Sequence, residues 1–137
     1  MKAIQDMCDI FSIFHDGAIE SWEGNKDLLV LTIECHYLAE RIDKTFNRFF
    51  VELKNIDFIE FEPWPNPIDL PVTIKTDLDD IFKAALEILY ANVKDEKVVV
   101  DCNQHGVSFD YHGGNLTISC EKIQTYDQKR NSLTILI

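Results

Sequence analysis

Four histidines and four cysteines are the groups in this 137-residue chain best suited to ligate a metal, act as a base or attack as a nucleophile. His15 and Asp16 are adjacent. An imidazole beside a carboxylate can hold a divalent cation, but phosphohydrolases built on such a pair are all-helical and draw further His and Asp ligands from helices. Here the pair opens a strand. The simpler reading makes Asp16 a turn acceptor ahead of Gly17 and His15 a partly buried packing residue. Cys35-His36, Cys102-x-x-His105 and His112 are the zinc-like material. Zinc needs ligands that converge tetrahedrally, and closed structural sites favour paired cysteines. Cys102 and His105 flank a turn and could face one ion. Cys35 and His36 are neighbours on a strand and point to opposite faces. Buried thiols and surface imidazoles are the expectation, with no metal and no cofactor assigned.

Acyl-transfer chemistry lacks its usual carriers. No G-x-S-x-G elbow occurs. Acid-rich surroundings would raise a thiol pKa rather than activate it. Glu60 and Glu62 are two apart on a strand, share a face and could serve as acid and base, although in a chain with 24 acids a solvated edge is the simpler account. His112-Gly113-Gly114-Asn115 reads as a hairpin turn, not as a phosphate-cradling loop that opens a helix. No residue is assigned a catalytic role. Trp64 stands between Pro63 and Pro65, preceded by Phe58, Phe61 and Glu62. A stiff aromatic projection of this kind can anchor an interface, because little entropy is lost when it binds. The alternative is that Trp64 folds back over a sheet edge or helix. The binding candidates are therefore Trp64, Phe61, Glu60, Glu62, His15 and Asp16.

The balance of 24 acidic against 13 basic residues gives a net charge of -11. That argues against nucleic acid or an anionic membrane as the main partner. The acidity is uneven: residues 1–70 hold 14 acids and 6 bases, and residues 71–137 hold 10 and 7. An acidic face suits a basic protein partner, which it would select and draw in quickly. The Met1–Phe14 stretch carries Asp6 and Asp9, unlike a secretory leader. No apolar run reaches the length of a membrane span. A cytoplasmic address is the expectation, with reduced and mostly buried thiols.

These groups must be positioned by an α+β body. Ile4, Met7, Cys8 and Phe11 recur at helical spacing and suggest a short N-terminal helix. Residues 18–23 and 28–38 flank a Gly24-Asn25-Lys26 turn and form a hairpin. A long β region covers 48–61, with a bulge or turn near Lys54-Asn55 where the inward phase changes. A Pro-rich connector over 62–71 divides the single domain into two β-rich halves, since three prolines in five residues do not suit a central strand. Leu78, Ile81, Phe82, Ala85, Ile88 and Leu89 give one wide apolar stripe, predicting a firm helix over 77–92. Strands follow at 98–102, 107–111, 116–121 with an extension to 126, and 133–137. The total is about seven or eight mainly antiparallel strands in a curved sheet or sandwich. A C-terminal strand of this kind could also pair with a second copy in a homodimer.

Phe14-His15-Asp16-Gly17-Ala18-Ile19, followed by an alternating hairpin, resembles a loose class of small bacterial cytoplasmic β-rich proteins whose first strand opens on Phe-His-Asp. Some of that class look like immunity proteins encoded beside polymorphic toxins. The likeness spans residues 11–61 in pattern and six residues in identity, and it brings no catalytic residues. It implies a protein that blocks a toxin through an acidic face. The competing expectation is a small metal-dependent hydrolase or small-molecule-binding protein built on His15, Asp16 and the turns at 102–112.

Overall fold

Alternating inward residues along six strands dictate a sheet with one buried face, and the computed structural model, which describes residues 3–65, 67–71, 73–106 and 108–133, shows that sheet closing on itself. The elements run α1 (Ile4–Ile13), β1 (Ala18–Gly24), β2 (Leu28–Glu34), α2 (His36–Ala39), β3 (Arg48–Pro65), α3 (Leu78–Ile81), β4 (Leu86–Lys94), β5 (Lys97–Asn103), β6 (Tyr111–Tyr126) and β7 (Ser132–Leu133). The fold is α+β: a seven-stranded antiparallel sheet with an N-terminal helix and two short helices. The strand order is β3-β2-β1-β4-β5-β6-β7, and β3 also pairs with β6, so the first six strands form a ring. Closure removes most of the exposed edge that an open sheet would present. No helix of the described residues is long and apolar enough to cross a membrane.

The joints of the ring differ greatly in strength. β3 and β6 are paired from Phe50↔Tyr126 to Pro65↔Tyr111, the longest ladder in the molecule. β1 and β4 meet through only Ala18↔Glu87 and Ile19↔Leu86, extended by Asp16 N–H to Ile88 O at 2.7 Å and Ile88 N–H to Gly17 O at 2.7 Å. Inside, Leu29, Leu31 and Ile33 face Phe49, Val51 and Leu53 from β3, Val98, Val100 and Cys102 from β5, and Leu116, Ile118 and Cys120 from β6. α1 packs against β4, β5 and β6 and adds Met7, Cys8 and Phe11 to the same core, as its apolar spacing requires. Phe14, just past the helix, meets Phe49 with ring centroids 5.0 Å apart.

The helix expected over 77–92 is instead one turn, α3, followed by β4. Leu78 and Ile81 are buried at helical spacing, but from Ala84 the burial alternates through Leu86 and Ile88, which is strand spacing. Ala85, counted in the helical stripe, is exposed. An apolar run that changes period midway satisfies both templates, and pairing with β5 decides the outcome. The firm helix is α1.

The proline connector also begins later than its composition suggests, because β3 continues through Pro65. Beyond Ile56 this strand has left β2 and its turn and ladders only with β6, while its other side takes a single bridge to Lys75 at Phe61. Prolines are tolerated on such a free side because no donor is needed there. Asn55 adopts φ 52 where the inward phase was expected to change, and the register shifts between Ile56 and Phe58. His112-Gly113-Gly114-Asn115 is not a turn but the body of β6. The glycines mark a close approach of strands: a Cβ on Gly114 would lie 2.4 Å from Glu62 O and 2.6 Å from the Phe61 ring. Residues 108–110 precede the strand rather than form one. Val107 and the last four residues of the expected terminal strand lie outside the described residues; before them Ser132–Leu133 pair with β6.

Gly114→Ala should therefore lower stability by about 1–3 kcal/mol through overpacking at the β3–β6 contact. Urea unfolding should show a lower midpoint with an unchanged slope, and an unchanged midpoint would show that the strands separate freely there.

Candidate functional site

Along the outer face of β3, Phe58, Glu60 and Glu62 alternate with the buried Ile59, Phe61 and Pro63. Trp64 extends the line past a register shift between Pro63 and Pro65. Strand spacing thus sets two aromatics around two carboxylates on one side of a ladder about 20 Å long. Phe58, Glu60 and Glu62 border a groove of about 330 Å³, whose far side is Lys94, Asp95 and Lys97 at the β4–β5 hairpin. The Lys97 ammonium sits 4.9 Å from the Phe58 ring centroid, so this face already accommodates a cation over an aromatic ring.

Trp64 is neither a free projection nor fully withdrawn. Its indole Nε1–H donates to Asn115 Oδ1 at 3.0 Å, and the ring is half-buried. A Cβ on Gly113 would lie 2.1 Å from Cys102 O and 3.0 Å from Trp64 Cε3, so the glycine lets β5 and the indole both come close. The Asn115 amide in turn donates to Asp101, and Tyr90 hydrogen-bonds to the same carboxylate, which raises the phenol pKa. These residues are register partners across four strands: Tyr90↔Asp101, Asp101↔Asn115 and Asn115↔Glu62. A polar row ending in the exposed Tyr90 therefore crosses the sheet beside the groove. Sequence reasoning missed Asn115, Asp101 and Tyr90. Their period-two outward placement was the available signal, but the expected turn at 112–115 and helix at 77–92 concealed it.

The other candidates fall elsewhere. Phe61 is 0% exposed and packs edge-on to Tyr111 at 5.8 Å, so it supports the stripe from the core and touches nothing outside. His15 and Asp16 lie at the β1–β4 joint, with β1 opposite β6 in the ring. Both are exposed, and His15 Nδ1 lies 3.4 Å from Asp16 Oδ2. Asp16 has φ 66, which favours short polar residues. Tyr37 holds this corner by donating to His15 O at 2.7 Å, and burial together with nearby Cys35 pushes its phenol up to about 12.

The histidines and cysteines do not converge. Cys102 is buried within β5, while His105 is exposed and 3.2 Å from Glu87 Oε1, and His112 is exposed on β6. His36 pairs with Glu40 one helical turn on, and Cys35 beside it is buried. Among the described residues no group of three or more His, Cys, Asp or Glu could hold a metal ion. The four thiols are free and buried. Burial raises Cys102 furthest, with Asp101 adding to it, and lifts Cys120 to about 11. Such thiols are weak nucleophiles at neutral pH.

A folded-state thiol pKa above the unfolded value contributes stability below the unfolded pKa, and that stability is lost as pH rises through the folded one. Unfolding midpoints should therefore fall between about pH 9 and 11, and a thiol-specific reagent at pH 8 should label Cys102 and Cys120 only after denaturation. Rapid labelling of the native protein would contradict their burial. Compared with known proteins, the chain matches no family model, no curated protein and no solved structure.

Proposed function

We propose that this chain works by binding a basic protein, in the manner of an immunity protein, through the outer face of β3. The observation that carries the reading is the Phe58-Glu60-Glu62-Trp64 stripe beside a groove. A lysine or arginine side chain laid along the stripe meets Glu60 and Glu62 for its charge and the Trp64 ring for its stem or guanidinium, while Lys97 already covers Phe58 and stands with Lys94 on the far side of the groove. The sheet beneath is already ordered, and Trp64 is already seated on Asn115, so little freedom is lost on docking. The -11 charge would speed the approach of a cationic partner.

The hydrolase reading needs convergent ligands or an activated nucleophile. His15 and Asp16 reach the end of β4 that His105 also contacts through Glu87, yet among the described residues no three ligands converge there, and Cys102 faces the core.

The test is surface plasmon resonance with the chain immobilised and the product of the neighbouring reading frame flowed over it. Glu60→Gln with Glu62→Gln should slow association roughly tenfold at low salt, and the difference should shrink as salt rises. Trp64→Ala should speed dissociation about thirtyfold, equivalent to about 2 kcal/mol. Absence of binding, or binding indifferent to salt and to these substitutions, would refute the proposal.

A further inference from the structure

A second concavity, of about 260 Å³, opens where β3 and β6 meet the segment leading into α3. Its chemistry is the reverse of the acidic stripe. Lys75 and Lys83 both line it, with Phe109 and Tyr111 as aromatic walls and Pro63 and Pro65 beside them. The position of Lys75 is fixed by the backbone: its N–H and C=O both bond to Phe61, at 2.9 and 2.8 Å. From there its ammonium lies 5.5 Å from the Tyr111 ring centroid, and the Lys83 ammonium lies 5.7 Å from the Phe109 centroid.

Two cations are thus held together in a protein with a large excess of acid. Asp110 also lines the cavity and Asp80 acts on Lys75 from further off, yet no described residue forms an ion pair with either lysine. Burial, followed by the closeness of Lys83, holds the Lys75 ammonium below its usual pKa. The Tyr111 side chain is 7% exposed, and its hydroxyl is buried with no hydrogen-bond partner among the described residues. Leaving such a group unsatisfied costs about 1–3 kcal/mol. Converging like charges beside an unsatisfied donor are what an absent anion would reconcile.

We infer that this cavity binds an oxyanion, a carboxylate or phosphate carried on a small apolar or aromatic body, with Lys75 and Lys83 clasping the charge and Phe109 and Tyr111 flanking the body. The volume suits one side chain or a small molecule rather than a nucleotide. The site is independent of the acidic stripe and would stand if that stripe proved inert.

The test is titration of the whole chain with phenyl phosphate and, separately, with phenylacetate, followed by NMR at constant ionic strength, with benzylamine as a cationic control. Saturable shifts of the Phe109 and Tyr111 ring signals are expected with one or both anions and not with benzylamine. Saturation by phenyl phosphate alone identifies phosphate as the ligand chemistry, saturation by phenylacetate alone identifies carboxylate, and saturation by both identifies a general oxyanion site. Lys75→Gln and Lys83→Gln should each weaken binding roughly tenfold or more, from the loss of one charge-assisted hydrogen bond, while Lys44→Gln on the exposed segment before β3 should not. Thermal melting of each variant separates lost binding from lost fold. No saturation with either anion, or equal saturation in folded K75Q and K83Q variants, would overturn the inference.

Discussion

The β3–β6 ladder is the constraint from which the rest of the structure follows. Each strand is the long last member of a three-stranded meander, and their pairing converts two meanders into one closed sheet. It brings Val51, Leu53, Ile59 and Phe61 to face Leu116, Ile118 and Cys120 in a shared core. It also decides what remains outside. Because residues alternate, burying Ile59 and Phe61 commits Glu60 and Glu62 to the surface. The glycines at 113 and 114 let the strands approach at the end where the prolines and Trp64 lie.

This arrangement separates two kinds of surface. On the outer face of β3 from Phe58 to Trp64 the ionisable groups are carboxylates bracketed by aromatic rings. Around the corner, where the chain leaves β3 and returns through Lys75, two ammonium groups stand over aromatic rings beside prolines. Trp64 and Tyr111 belong to opposite ends of the same short tract of the ladder, through Asn115 and Pro65 respectively. His15, His36 and His105 and the thiols, which invite a catalytic interpretation, are spent on exposed pairs with carboxylates and on core packing.

Much of the fold was legible because the signals were local. The Gly24-Asn25 turn is present, with Asn25 Oδ1 accepting from Asp27 N at 2.8 Å and Leu28 N at 3.2 Å. The N-terminal stripe of Met7, Cys8 and Phe11 became a helix, and the phase change near Asn55 became a left-handed residue. What was illegible depended on partners distant in sequence. The tract from Leu78 to Leu89 satisfies helical spacing on paper, and only β5 alongside it selects a strand. The Asp95-Glu96 hairpin, with φ 52 and 61, uses residues that do not announce such a turn. Gly113-Gly114 looked like a turn because glycine permits one, whereas here it permits contact. For the site, the face shared by Glu60 and Glu62 was visible from alternation alone. The anchoring of Trp64 by Asn115, 51 positions away, was not.

The brevity of the β1–β4 joint has a dynamic consequence. A ring with one two-pair seam and one very long ladder resembles a clasp with a stiff spine and a small catch. Thermal opening will begin at that catch, where Asp16 and Ile88 carry the last hydrogen bonds, and it will spread the two meanders apart without disturbing the spine. Both proposed docking surfaces lie along the spine, so the recognition proposed for them is insulated from the breathing of the molecule.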